Sequence, residues 1–315
     1  MSDRVPDEPL FDAGERFEVR RQLGAGGMGV VYEAYDRELQ ELVALKTLRD
    51  ADGVWLTRFK QEFRSLHDLA HRNLVAFGEF FDGPTEPFFS MELIRGVDVL
   101  TYVRADAGAV AAGAPPPYDE PRLRAALHQL ALGLVALHDV GKVHRDVKPA
   151  NVLVAEDGRV TLVDFGLVAD RRGARLSTAG DLVGTVEYMA PEQALAGELT
   201  AAADWYSLGV VLFEALTGQL PHGGRSPFEI IVNKREAAAP PPRQLAPGTP
   251  PDLDALCVAL LATDPARRPG AVEVLAALAG APSATAASTA AMPPAAPAPL
   301  VGRGAELAAL RAAYA

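Results

Sequence analysis

His144-Arg145-Asp146-Val147-Lys148-Pro149-Ala150-Asn151 is followed thirteen residues later by Asp164-Phe165-Gly166. The two blocks supply two carboxylates, an amide and a lysine within one short span. Between them, Val152-Leu153-Val154 and Val160-Thr161-Leu162-Val163 are β-rich runs joined by Glu156-Asp157-Gly158, an Asp-Gly turn signal for a hairpin. A hairpin sets its outer ends side by side, so Asn151 and Asp164 meet closely enough to share a metal ion. Asp146 lies five residues before Asn151 and stays free to orient a hydroxyl. Magnesium prefers hard oxygen donors and shares its shell with phosphate oxygens, so two protein ligands suffice. The chemistry indicated is phosphoryl transfer. Any one of these residues alone reads as part of a polar turn; the ordered set, with converging roles, does not.

The pattern resembles the catalytic loop and metal-binding motif of eukaryotic-like protein kinases, H-R-D, K-P-x-N and D-F-G, and matches it completely. The resemblance implies that Asp146 is the catalytic base, that Lys148 steadies the γ-phosphate, and that Asn151 and Asp164 hold Mg2+, with Mn2+ as a substitute. It also implies an α+β, bilobal fold, with a β-rich N-lobe and a mainly helical C-lobe, and ATP as the nucleotide.

Near the N-terminus, Gly24-Ala25-Gly26-Gly27-Met28-Gly29-Val30-Val31 has the G-x-G-x-x-G-x-V spacing. Dinucleotide-binding folds share the glycine spacing, but there it leaves a strand and opens a helix. Here Phe17 to Leu23 alternates apolar and polar residues, and Val30 to Tyr35 is β-branched and aromatic, which makes the context strand, loop, strand. Such a hairpin folds over phosphates, and glycine lets the backbone approach them. The resemblance implies that Leu23 and Val31, flanking the loop, contact the nucleotide.

Val43-Ala44-Leu45-Lys46 resembles the V-A-I-K strand of the family, which implies that Ala44 lines the nucleotide site and Lys46 reaches its α- and β-phosphates. The carboxylate partner of Lys46 is expected on the following helix, Leu56 to Leu69, with Glu62 the best candidate ahead of Glu79 and Glu41. Phe88 to Gly96 looks like the last N-lobe strand and hinge, with Met91 as gatekeeper and backbone groups of Glu92 and Ile94 facing the adenine edge. A methionine filling a gap in a core strand is compatible with this.

An activation segment should run from Asp164 to Ala190-Pro191-Glu192. Gly184 to Met189, with Lys148-Pro149, resembles Ser/Thr rather than Tyr kinases, and Thr185 would bridge toward Asp146 and Lys148. Arg145 before the catalytic aspartate implies a phosphate partner on the segment, with Ser177 and Thr178 the best-placed acceptors; the alternative is a polar loop tip. Asp204 resembles the residue that anchors the catalytic loop through backbone amides. Arg268, in Asp264-Pro265-Ala266-Arg267-Arg268-Pro269, resembles the partner of Glu192.

The chain has 315 residues, 49% of them hydrophobic and 23% charged, with a net charge of −11. That length allows one large bilobal domain and a tail. The acidic balance argues against nucleic acid or an anionic membrane as partner, and the spread of the acids is what solubility alone requires. Cys257, the single cysteine, rules out an internal disulfide, fits a cytoplasmic location, and lies in an apolar helical stretch as a buried thiol. No run approaches the roughly 18 uninterrupted apolar residues that a membrane-spanning helix needs, and the N-terminus has no signal-peptide core.

The expected organisation is an acidic arm at 1–10, a kinase-like domain at 11–279 divided into an N-lobe at 11–93 and a C-lobe at 94–279, and an Ala/Pro-rich linker at 280–299. Ala105 to Pro117 reads as a loop insertion before a helix Pro121 to His138. Residues 300–315 look like the opening of an AAA-type ATPase module, without its phosphate-binding loop, or else a docking helix. The resemblance, closest to bacterial members, implies a kinase acting on Ser/Thr of protein substrates in signal transduction, autophosphorylating on its activation segment and pairing two chains to do so. No residue marks that interface. The alternatives are a nucleotide-binding pseudokinase scaffold, though none of the groups such proteins usually lack is missing, and a regulatory partner for a downstream ATPase module.

Overall fold

The computed structural model describes residues 11–26, 29–49, 53–82, 86–104, 117–164, 186–194 and 199–280. The expected arm at 1–10, Gly27 and Met28, the insertion at 105–116, Ser177, Thr178 and Thr185, the linker from 281 and the final segment lie outside the described residues.

Strands β1 (Phe17–Gly26), β2 (Gly29–Asp36) and β3 (Glu41–Thr47), then β4 (Phe77–Phe81) and β5 (Phe88–Glu92), form an antiparallel sheet in the order β1-β2-β3-β5-β4. The two-residue alternation of β3 divides its side chains between the faces. Val43 and Leu45 join Phe17, Ala34 and Phe88 in one small core. Ala44 belongs to the larger core on the other side, with Phe89 and Met91. Helix α1 (Gly53–His67) lays Phe59, Phe63 and Leu66 on that second core. Their i, i+4, i+7 spacing makes one helical stripe, and the Phe63 ring stands 5.2 Å from Phe77 and 5.4 Å from Phe89.

The second lobe starts with β6 (Gly96–Asp98) and α2 (Val99–Arg104), followed by α3 (Glu120–Asp139). Asp119 caps α3 by accepting from the Arg122 amide, and a proline occupies its first turn. Strands β7 (Val152–Ala155) and β8 (Val160–Leu162) pair with β6 in a three-stranded sheet. Beyond it come α4 (Ala202–Thr217), α5 (Pro227–Glu236), α6 (Pro242–Leu245), α7 (Pro251–Leu260) and α8 (Ala271–Ala279). Almost every side chain of α4 is buried, which makes it the axis of this lobe, and Gly218 ends it in the left-handed conformation at φ 73°. Cys257 is buried on α7, where burial pushes its thiol up.

Polar links cross from the first lobe to the second. Asn73 donates to Val160 O at 2.7 Å and to Gln129 Oε1 at 3.1 Å. Arg159, at the end of the β7–β8 turn, pairs with Glu92 of β5.

Candidate active site

The β7–β8 hairpin closes with Val152 opposite Leu162, and Val163 N donates to Asn151 O at 2.9 Å. Asn151 and Asp164 therefore leave the same end of the hairpin. Asn151 commits its amide nitrogen to Asp146, donating to the main-chain oxygen at 2.8 Å and to Oδ2 at 3.1 Å. Its amide oxygen is thereby turned to the outside of that contact. Lys148 Nζ donates to the same Asp146 Oδ2 at 3.0 Å. One carboxylate oxygen thus receives two donors, which fixes the direction of Asp146 while the residue stays 8% exposed.

Beneath the loop, Asp204 is fully buried. Its Oδ1 accepts from Arg145 N at 2.8 Å, and its Oδ2 accepts from His144 N at 2.7 Å and from His138 Nε2 at 2.8 Å. Two successive amides bound to one carboxylate bend the backbone sharply, and Arg145 takes φ 67°, a left-handed conformation that a non-glycine residue holds only when its surroundings enforce it. Asp164 does the same at φ 59°.

His144 ties the two strained residues together. Its Nε2 lies 3.1 Å from Val163 O and must donate there, since a carbonyl only accepts. Its Nδ1 then accepts from Asp146 N at 3.3 Å. The ring is fully buried, and that burial lowers its pKa against the upward pull of Asp204 and Asp146. The neutral Nε2–H tautomer is the state both contacts require.

The other side of the cleft comes from the five-stranded sheet. Ala25 pairs with Val30 and Gly26 with Gly29, so Leu23, Gly24, Ala25, Gly26, Gly29, Val30 and Val31 lie on adjacent strands about the loop tip. Gly29 has φ 148°, and a Cβ there would sit 1.9 Å from Thr47 O, so the glycine is obligatory for close strand packing. Ala44 and Met91 are register partners across β3 and β5, and Glu92 at the strand end donates its amide to Ala76 O at 2.9 Å. Ile94 follows in the connection to β6.

Lys46 differs from expectation. Its ammonium, 7% exposed, donates to Asp164 Oδ1 at 2.6 Å, bridging 118 positions from one lobe to the other. Glu62, expected as its partner, instead places Oε1 3.9 Å from Lys142 Nζ. The reason is helical phase: Phe59, Phe63 and Leu66 carry the buried stripe of α1, and Glu62 flanks it with its side chain 36% exposed. A nearly buried ammonium takes the carboxylate that reaches it.

The segment at 186–194 packs against this centre. Gln193 Nε2 donates to Arg145 O at 2.9 Å, Ser207 Oγ to Tyr188 O at 2.8 Å, and Tyr188 OH to Glu214 Oε2 at 2.6 Å. Burial, helped by Glu214, pushes the Tyr188 phenol far up. Arg268 reaches Glu192 through both terminal nitrogens, at 2.5 and 2.9 Å, and also donates to Ala202 O and Ala262 O. The residues that sequence reasoning missed are Gln193, Glu214 and Lys234, which act across long sequence separations; Tyr188 enters it only as part of the stretch Gly184 to Met189, without its contact to Glu214.

The donor set suits a hard divalent cation, since Asn151 and Asp164 offer oxygen and no sulfur or imidazole intervenes. The Asn151 amide supports this fit, because its nitrogen is already occupied and only its oxygen is left to face a cation.

A model of the protein kinase domain family matches residues 17–278. The chain is 36% identical over 266 residues to the serine/threonine-protein kinase PknL of Mycobacterium tuberculosis, covering 83% of this chain and 64% of that protein. It is 30% identical over 256 residues to the serine/threonine-protein kinase PrkC of Bacillus subtilis, covering 80% of this chain and 38% of that protein. The chain thus spans less than two thirds of the length of these relatives. Among solved structures, a chain of Rad53 in complex with AMP-PNP superposes with TM-score 0.65 at 25% identity, covering 82% of this chain and 64% of that one.

Proposed function

Since the chain belongs to the protein kinase family, we propose that it transfers the γ-phosphoryl of MgATP to Ser or Thr hydroxyls of proteins. The observation that carries this reading is that Lys148 and Asn151 both donate to the Asp146 carboxylate while Lys46 donates to Asp164, with Asn151 and Asp164 at the same end of one hairpin. The relatives named serine/threonine-protein kinase support the acceptor class.

The glycine-bearing hairpin β1–β2 covers the phosphates, and Lys46 neutralises part of their charge. Asp146 accepts the hydrogen bond of the acceptor hydroxyl and aligns it for in-line attack. Lys148 sits beside that carboxylate, where it meets the phosphoryl group as it moves. Asn151 and Asp164 would hold Mg2+, which supplies further charge neutralisation at the phosphates when bound. Such a loose transition state draws on positioning and electrostatics more than covalent help, and the network below the loop provides the positioning. Thr185 as a bridge to Asp146, Glu62 as a residue of the active arrangement, Ser177 or Thr178 as the autophosphorylated acceptor facing Arg145, a second chain as the partner for that reaction, and a cytoplasmic setting belong to the same proposal. Among the described residues, no helix is long and apolar enough to cross a membrane.

Wild type and Asp146→Asn, incubated with MgATP and mapped by mass spectrometry, test the reading. Phosphate on Ser or Thr in wild type alone is the expected result. Equal phosphate on both proteins, or on neither while both bind ATP, refutes it; the second outcome favours a nucleotide-binding scaffold.

A further inference from the structure

On α5, Lys234 is 2% exposed, yet its charged end is fully engaged. The ammonium donates to Val186 O at 2.8 Å, Glu187 O at 2.6 Å and Met189 O at 2.7 Å. An ammonium has three donors and no acceptor, so the carbonyls use the whole set. The Nζ also stands 5.4 Å from the centre of the Tyr206 ring on α4. Burial pulls the Lys234 pKa down to about 7, with Glu187 pulling the other way. A cation in such a place is costly, and the ring of carbonyls is what holds it.

The carbonyls belong to the stretch just before Ala190-Pro191-Glu192. That stretch is fixed at its far end to Arg145, next to Asp146, through Gln193. An acceptor side chain must come to the Asp146 carboxylate, and the peptide that carries it has to run along the wall next to the catalytic loop. Three carbonyls gathered onto one nitrogen force the backbone of 186–189 to curl around Lys234, and this curl gives the wall its shape.

We propose that Lys234 is a positioning residue for the acceptor peptide, moulding residues 186–189 into the surface on which a Ser/Thr peptide lies beside Asp146. The proposal rests on the kinase reading above. Lys234 touches neither nucleotide nor reacting atoms, so its effect falls on the peptide.

Lys234→Met keeps the aliphatic stem and removes all three donors; Lys234→Gln keeps an amide with two. Steady-state kinetics with MgATP and a defined Ser-containing peptide, first selected on wild type, measure the outcome. For Lys234→Met the peptide KM rises about tenfold or more while the ATP KM changes by less than about twofold, and Lys234→Gln lies between it and wild type. A merely structural lysine would lower kcat, both affinities and Tm together, and that pattern overturns the proposal. So does an unchanged peptide KM in either folded variant, and if Lys234→Met does not fold, Lys234→Gln decides. Transfer by wild type and not by Asp146→Asn in the same assay shows that the kinase reading stands independently; no transfer by wild type overturns both.

Discussion

Asp204→Asn isolates the anchor of the catalytic loop with almost no change of volume. The carboxylate accepts three hydrogen bonds, two from consecutive backbone amides at 2.7 and 2.8 Å and one from His138. An amide has a single oxygen. If that oxygen stays on Arg145 N, the new NH2 faces His144 N, donor against donor, and if it is reversed the same conflict falls on Arg145 N. Either way one main-chain amide loses its acceptor, at about 1–3 kcal/mol, and the remaining bonding loses its charge assistance, for a total of about 2–4 kcal/mol. In a domain of this size that lowers Tm by roughly 5–12 °C. The left-handed turn at Arg145 also loses its constraint. Asp146 is the next residue, and a displacement of about 1 Å there reduces kcat by about 10²-fold. Thermal unfolding and steady-state kinetics on one preparation are the assays, and the ATP KM should move by only about twofold because the glycine hairpin and Lys46 are untouched. Asp204→Asn with wild-type Tm and kcat would refute the assignment of loop geometry to this carboxylate.

Lys46→Met removes the cation that joins β3 to Asp164, and the ATP KM should rise at least about tenfold, read by initial rates or by the thermal shift with MgADP. Gly29→Ala would place its Cβ 1.9 Å from Thr47 O, so β2 must move off β3; loss of the nucleotide-induced thermal shift checks this. Glu192→Gln leaves Arg268, whose side chain is fully buried, without its counter-charge at a cost of about 3–5 kcal/mol. Replacing both partners, as in Glu192→Met with Arg268→Met, should cost less than the sum of the single changes by denaturant titration. The pKa values of His71, His144 and His222 are all lowered, with burial the largest cause. The unfolded chain then binds protons more tightly than the folded one, so stability present above about pH 6.5 is lost as pH falls below it. Asp36 and Asp252 have lowered values as well, and they withdraw stability at still lower pH. Tm should fall steadily from pH 7.5 to pH 5, and His144→Gln should flatten the upper part of that slope.

The parts of the site legible in the sequence are those made by neighbours. Asp146, Lys148 and Asn151 lie within six positions, and the hairpin that brings Asp164 to them is closed by an Asp-Gly turn, so local periodicity was enough. Likewise the strand-loop-strand setting of the glycines followed from residue types on either side. The Asp204 and Arg268 contacts became legible only through resemblance to a family, because nothing local says which distant amides or carboxylate they meet. Lys46 shows the remaining gap. Its carboxylate partner depends on the phase of α1, and that phase is set by which of its aromatic residues pack on Phe77 and Phe89. Lys234 had no signal at all: its three acceptors are main-chain carbonyls 45 to 48 positions away, and carbonyls have no side-chain identity to read.

These contacts share one physical purpose, which the two strained residues make visible. Arg145 and Asp164 are held at φ 67° and φ 59°, each at a cost of roughly 1–3 kcal/mol. Arg145 is not a residue type that chooses this backbone unaided, whereas an aspartate such as Asp164 tolerates it better. Asp204 fixes the first through its amide, and His144 fixes the approach to the second through Val163 O. The same residue stands at both restraints: the His144 main-chain amide is bound to Asp204, and its ring joins Val163 O to the amide of Asp146. A proton added to Nδ1 would oppose that amide and loosen both sides at once. The activity should therefore fall in acid, with kcat falling before nucleotide affinity does, since the glycine hairpin lies outside this network. A pH profile in which kcat and ATP affinity fall in step would show that the imidazole does not couple the two turns.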